Sequence, residues 1–222
     1  MRPMFYEFPN DLATFAMDDQ WMVGSSLLVK PVTQANTFTV DVYLPPSYVW
    51  YDLETLRPIE GSSSHVNTKA PLEKIPVFVK GGSIIPRKMR LRRSSKLMFY
   101  DPITLLITPD ASGQAEGSLY MDDEHTLAHE TQSLHALVHF TLDKGTLECE
   151  IAEGSYRPVN TIERIVIAGQ RVSPKRVRLS NTTGSKVGED KDLTFVFNAD
   201  ADTVTIKKPD VAAVSRWTIL LE

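Results

Sequence analysis

The 222-residue chain is 42% hydrophobic and 23% charged, with a net charge of −4. That composition leaves room for one large or two small domains with buried cores and excludes wholesale disorder. It argues against nucleic acid as the main partner, because neutralising phosphates needs a basic face, and no apolar run approaches the ~18–20 residues of a membrane helix.

The chain opens on an apolar run, Arg2 to Phe8, closed by the turn cluster Pro9-Asn10-Asp11. Between Asp11 and Met22 the apolar residues Leu12, Phe15, Ala16 and Met22 support one or two short helical turns. Asp18-Asp19-Gln20 then leads through Trp21-Met22-Val23-Gly24 to a strand-like run from Leu27 to Val32. These residues read as a seam between two domains, and a chain that opens on a seam is expected to be part of a longer protein. Met1-Arg2-Pro3 begins no signal peptide, which for an internal piece carries no information.

From Thr37 the pattern alternates with period two. Phe38, Val40, Val42 and Leu44 share one face, since successive strand side chains point to opposite sides. The pattern recurs at Leu134, Ala136, Val138, Phe140 and Leu142, then at Leu147, Cys149 and Ile151. Leu193, Phe195 and Phe197, then Val204 and Ile206, and finally Trp217, Ile219 and Leu221 repeat it. Turn clusters separate these runs at Asp143-Lys144-Gly145, Gly154-Ser155, Gly169-Gln170 and Asn198-Ala199-Asp200. The expected class is all-β, as two consecutive antiparallel β-sandwiches. Boundaries are expected near residues 23 and 103: a segment 1–22, a proximal sandwich 23–103 and a distal one 104–222. Eight of the 14 prolines fall in the middle block, where strand edges and loops accept them.

Several residues invite a chemical reading. Asp18-Asp19 and Asp122-Asp123 suggest a glycosidase carboxylate pair, which needs carboxyls about 5–5.5 Å apart for retention or about 6.5–9.5 Å for inversion. Adjacent residues point apart, so capping or seam-fixing is expected of the first dipeptide and a hairpin turn of the second. His125, His129, His135 and His139 have zinc-like helical spacing, yet strand residues four apart lie about 13 Å from each other, so solvent-facing strand histidines and no metal are expected, with a cross-strand pairing of His125 or His129 with His135 or His139 through a hairpin as the alternative. Trp50-Tyr51 and Trp217 could stack on sugars, although core packing is the commoner fate. Gly81-Gly82 joins two strand-like runs and reads as a tight turn or bulge. Arg87-Lys88-Met89-Arg90-Leu91-Arg92-Arg93 reads as a solvated basic loop, with anion binding as the alternative. The single Cys149 leaves the redox compartment open, and Asn181-Thr182-Thr183 is a glycosylation sequon.

Two stretches carry a resemblance: the opening seam, and Ile75-Pro76-Val77-Phe78-Val79-Lys80-Gly81-Gly82-Ser83-Ile84-Ile85-Pro86. Both resemble glycoside hydrolase family 31, where the chain leaves a catalytic (β/α)8 barrel and enters two C-terminal β-sandwiches. Asp101-Pro102-Ile103-Thr104-Leu105, Gly117 to Thr126, and Lys208-Pro209-Asp210-Val211 to Ile219 resemble the members that process N-glycans. One departure is visible: Glu124 stands where the family usually has a turn glycine.

The resemblance implies that residues 1–22 are the exit from the barrel. It implies a retaining α-glucosidase that trims α-1,3-linked glucose from N-glycans in the endoplasmic reticulum lumen, without a cofactor. The remaining barrel and a regulatory β subunit are the implied partners. The family's nucleophile sits in a Trp-x-Asp-Met-Asn type motif that this chain lacks, and its acid/base Asp and sugar-binding Arg and His lie upstream of the matched region. No catalytic residue is therefore expected here, and the chain alone is expected to be inactive. A stand-alone carbohydrate-binding sandwich is the alternative of a different class.

Overall fold

The computed structural model describes residues 1–59, 64–180 and 190–222. The sequon at Asn181 lies outside them. Among the described residues strands dominate, with two one-turn α-helices, and no helix there is long and apolar enough to cross a membrane.

The first sheet begins within the opening seam. Strand β1 (Arg2–Pro3) is followed by helix α1 (Met4–Glu7), a 3-10 turn at Leu12–Thr14, and β2 (Trp21–Val23). Then come β3 (Leu27–Val29), β4 (Thr39–Tyr43), β5 (Trp50–Asp52), β6 (Pro58–Ile59), β7 (His65–Lys69) and β8 (Val77–Lys80). Six of these form a sheet ordered β1-β2-β3-β8-β5-β6, and β4 pairs with β7 in a separate ribbon. Alternation in β4 sends Val40 and Val42 inward, where they meet Met22, Leu28, Trp50 and Phe78. Helix α1 adds Met4, joined by Phe8, four residues on and so on the same helical face. The short helical turn expected after Asp11 is the 3-10 turn. Phe38, expected on the buried face of β4, lies just outside the strand and is 65% exposed.

The second sheet comprises β9 (Ser83–Arg87), β10 (Ile103–Thr108), β11 (Ala115–Met121), β12 (Ala136–Asp143), β13 (Thr146–Glu153) and β14 (Thr161–Ile167). It continues with β15 (Val177–Ser180), β16 (Lys191–Asp192), β17 (Phe195–Asn198), β18 (Thr203–Ala212) and β19 (Trp217–Leu221). Helix α2 (Ala128–Thr131) interrupts the connection from β11 to β12. The ladder runs β16-β15-β19-β13-β12-β11-β9-β10-β14-β18-β17 and folds over a single core, since residues of β15 and β19 share one cluster with residues of β14 and β18. The alternating residues at 136–142, 147–149, 204–206 and 217–219 are its buried face. Asp143-Lys144-Gly145 closes the β12–β13 hairpin, with Lys144 at φ 46° and Gly145 at φ 84°, the two positive angles a tight hairpin turn demands. Among the described residues pairing is antiparallel with two exceptions: β10 runs parallel to β14, and β11 meets β9 in parallel at one register position. A parallel pair requires a long crossover, and here β11 to β13 provide it.

The ladders run across both expected boundaries. Strand β2 spans residue 22, and β9 belongs to the second sheet although it precedes residue 103. The crossing from β8 to β9 is Gly81-Gly82. Gly81 N–H donates to Val49 O and Gly82 N–H to Thr108 O, so the pair is clasped by both layers. A Cβ on Gly81 would lie 2.9 Å from Val49 O and 3.0 Å from Pro109 O, and Gly82 has φ 86°. Beside it Tyr51, Val79, Leu106 and Ala168 make a small apolar cluster joining the layers. Tyr51 Oη donates to Pro109 O at 2.8 Å, and burial pushes that phenol up to about 12.

Candidate functional site

One concentration of exposed apolar side chains lies on the opening segment. Met4 and Phe8 take the inward face of α1, which leaves Tyr6 69% exposed, with Leu12 82% and Phe15 55% exposed nearby. Phe5 ties the group together, its ring centroid 5.3 Å from Tyr6 and 5.9 Å from Phe15. The backbone beneath is firmly set. Asp11 caps the 3-10 turn by accepting from Ala13 N–H and also accepts from Tyr43 Oη at 2.6 Å, while Thr14 Oγ1 donates to Asp11 O. Gln20 clamps the next stretch to β4, donating to Tyr43 O and accepting from Tyr43 N–H. A rigid, exposed aromatic and aliphatic face of this kind is what a docking surface requires.

The carboxylate dipeptides have structural partners. Asp19 accepts from the ammonium of Lys30, a residue only 8% exposed, which fixes the seam to β3. The cap expected of Asp18 or Asp19 is supplied by Asp11 instead, because the helical turn starts earlier in the chain. Asp122 and Asp123 follow β11 and organise the turn after it. Asp122 Oδ1 accepts from Glu124 N–H, and Asp123 Oδ1 accepts from His125 and Thr126 N–H groups. With Thr126 Oγ1 donating as well, these bonds draw the Asp123 carboxyl down to about 2, so it stays ionised and offers no proton.

Glu124 has φ 56°, the left-handed conformation that glycine tolerates best. Its carboxylate sits 3.9 Å from Lys88 and is half exposed, an interaction of little worth. Glu124→Gly is therefore expected to hold or raise stability by up to about 1 kcal/mol, relief of the left-handed cost being partly offset by glycine's entropy in the unfolded chain. Urea unfolding checks this, and a loss beyond ~1 kcal/mol would contradict it.

The histidines do not converge. His125 stacks on Phe99 at 6.3 Å, His129 lies 3.9 Å from Asp122, and His135 lies 3.4 Å from Glu153 and stacks on Tyr120. His139 is exposed on β12 opposite Ser118. Among the described residues no group of three or more His, Cys, Asp or Glu could hold a metal. Trp50 and Tyr51 are 2% and 4% exposed and Trp217 is 1% exposed, so all three are core residues. Cys149 is buried too; its thiol, pushed up to about 12 by that burial, donates to Ser215 O. The basic loop is pinned: Arg92 binds Asp101 through two hydrogen bonds, and Arg90 binds Glu163 at 3.0 Å. A shallow cleft of about 350 Å³ is lined by Asp19, Lys30, Asp41, Tyr43 and His65. Its charged groups already pair with one another, Asp19 with Lys30 and Asp41 with His65.

Sequence reading missed the outward face of residues 6–15, since its apolar residues there looked equally suited to a core. It also missed β10, all six of whose residues are buried and which therefore shows no alternation. The available signal was the short β-branched and aliphatic run Ile-Thr-Leu-Leu-Ile-Thr between Pro102 and Pro109.

Residues 1–85 match the model of the glycosyl hydrolase family 31 C-terminal domain. With the all-β architecture, this makes the chain similar to the C-terminal region of family 31 glycosyl hydrolases. Over its full length it is 38% identical to neutral alpha-glucosidase AB of Homo sapiens, of which it covers 23%. The crystal structure of a glucosidase II alpha subunit superposes over 100% of the chain and 25% of that protein, with TM-score 0.89 and 30% identity. A further similar structure, TM-score 0.87 and 30% identity over 99% of the chain, is an ER glucosidase II heterodimer of catalytic subunit and binding domain of regulatory subunit. The chain thus spans about a quarter of the length of the proteins it matches.

Proposed function

We propose that the chain is the C-terminal scaffold of a retaining α-glucosidase that removes α-1,3-linked glucose from N-glycans in the endoplasmic reticulum lumen. The chemistry, a double displacement through a glycosyl–Asp intermediate, belongs to a companion barrel, and this chain contributes no catalytic residue to it. The division proposed is of the sequence, residues 1–22 as barrel exit, 23–103 as proximal and 104–222 as distal sandwich, with β2 spanning the first boundary and β9 pairing across the second. The observation that carries the reading is the fixed apolar face of Tyr6, Leu12 and Phe15, which has the character of a surface covered by another folded body. Similarity along the whole chain to neutral alpha-glucosidase AB and glucosidase II supports the choice of activity. A regulatory β subunit is the further partner this reading entails. The alternative of a free-standing carbohydrate-binding module loses its best platforms, because Trp50, Tyr51 and Trp217 are interior.

The test supplies the upstream barrel polypeptide as a second chain. The two are expected to co-purify without covalent linkage and to hydrolyse an α-glucoside, and Tyr6→Asp with Phe15→Asp should abolish both. Equal activity of the barrel polypeptide with and without this chain would remove the scaffold role.

A further inference from the structure

The segment Arg87 to Lys96 carries six cations, Arg87, Lys88, Arg90, Arg92, Arg93 and Lys96, and no acid, on a chain of net charge −4. Three of them hold the loop down. Lys88 Nζ donates to Phe99 O, Arg90 pairs with Glu163 on β14, and Arg92 grips the buried Asp101. The interleaved side chains are left outside: Met89 is 52% exposed and Leu91 99%, followed by Leu97 at 57% and Tyr100 at 72%. Arg93 and Lys96 are exposed among them, and neither forms an ion pair with a described residue. A merely solvated basic loop needs no anchors and gains nothing from displaying two leucines and a methionine. Bare phosphates would use the cations but not the leucines. Met, Tyr and Arg are residues that protein interfaces favour, and a loop ordered in advance loses little entropy on being covered.

We infer that loop 89–97 with Tyr100 is a docking surface for a protein face combining carboxylates with apolar side chains. Resting on the function proposed above, that face belongs to the regulatory subunit. Charge complementarity assigns the acidic partner, the unpaired Arg93 and Lys96 meeting its carboxylates while Leu91 and Leu97 take its apolar side chains.

The catalytic subunit containing this chain is titrated by calorimetry with the binding domain of the regulatory subunit. Leu91→Asp with Arg93→Glu is expected to weaken binding at least 30-fold, and Arg93→Glu with Lys96→Glu at least 5-fold with a slower on-rate at low salt. Unchanged melting temperatures certify that both variants fold. Binding of both variants within threefold of wild type overturns the loop assignment and leaves the glucosidase reading intact. No binding by wild type overturns the assigned partner and counts against that reading itself. Loop-dependent capture on phosphatidylserine vesicles, with none by the binding domain, would show a lipid surface as the occupant and overturn the proposal.

Discussion

Trp217→Ala is expected to cost about 3–5 kcal/mol, the range for deleting a large buried aromatic. Trp217 is 1% exposed at the start of β19, a strand flanked by β13 and β15, and its ring centroid lies 6.0 Å from that of Phe140. Neither flanking strand can close the void without breaking its own ladder, so most of the cavity should persist. The indole N–H is buried and finds no hydrogen-bond partner among the described residues. Trp217→Phe should therefore cost much less than the alanine variant, since it removes an unpaired donor along with part of the ring. Thermal unfolding reads the difference: for a chain of this size the alanine variant should melt roughly 6–20 °C lower. A fall below about 3 °C, or equal falls for both variants, would contradict this account of the core.

Gly117→Ala is the second large effect, and it should act through one atom. Gly117 lies on β11 where that strand meets β9, and a Cβ there would stand 2.0 Å from Ile84 O and 2.8 Å from its carbonyl carbon. Backbone on both sides leaves nothing flexible to yield, so the strands must part or β11 must bulge. A cost of about 3 kcal/mol or more is expected, at or above the upper end for overpacked cores. Gly113→Ala is the comparison: open space surrounds a Cβ there, and only φ 82° opposes it. Chemical denaturation should rank Gly117→Ala as the more damaging. The reverse order would mean that the two strands do not approach this closely.

The strands that alternate were legible because one face of each is buried and the other is not, and composition records that difference residue by residue. Val138 and Phe140 sit at 0% exposure as their spacing requires. Legibility failed where burial lacks a period, as in β10, or where no neighbour is near in sequence. Nothing local predicts that Tyr51 will donate to Pro109, or that Gln20 will clamp Tyr43. Helix α1 was hidden inside a run that reads equally well as a strand, because four residues are too few to show a helical repeat. The candidate sites fared similarly. The turn role of Asp122 and Asp123 was readable from residue type, and the glycine expected at position 124 marks a position with φ 56°. The docking faces were not readable, since an exposed leucine and a buried one are the same letter.

The passage from β8 through Gly81-Gly82 into β9 links two elements that sit in different layers. Five residues of β9 extend about 17 Å beyond that crossing before the basic loop begins. The opening segment and the basic loop therefore belong to different layers, joined covalently by this one crossing.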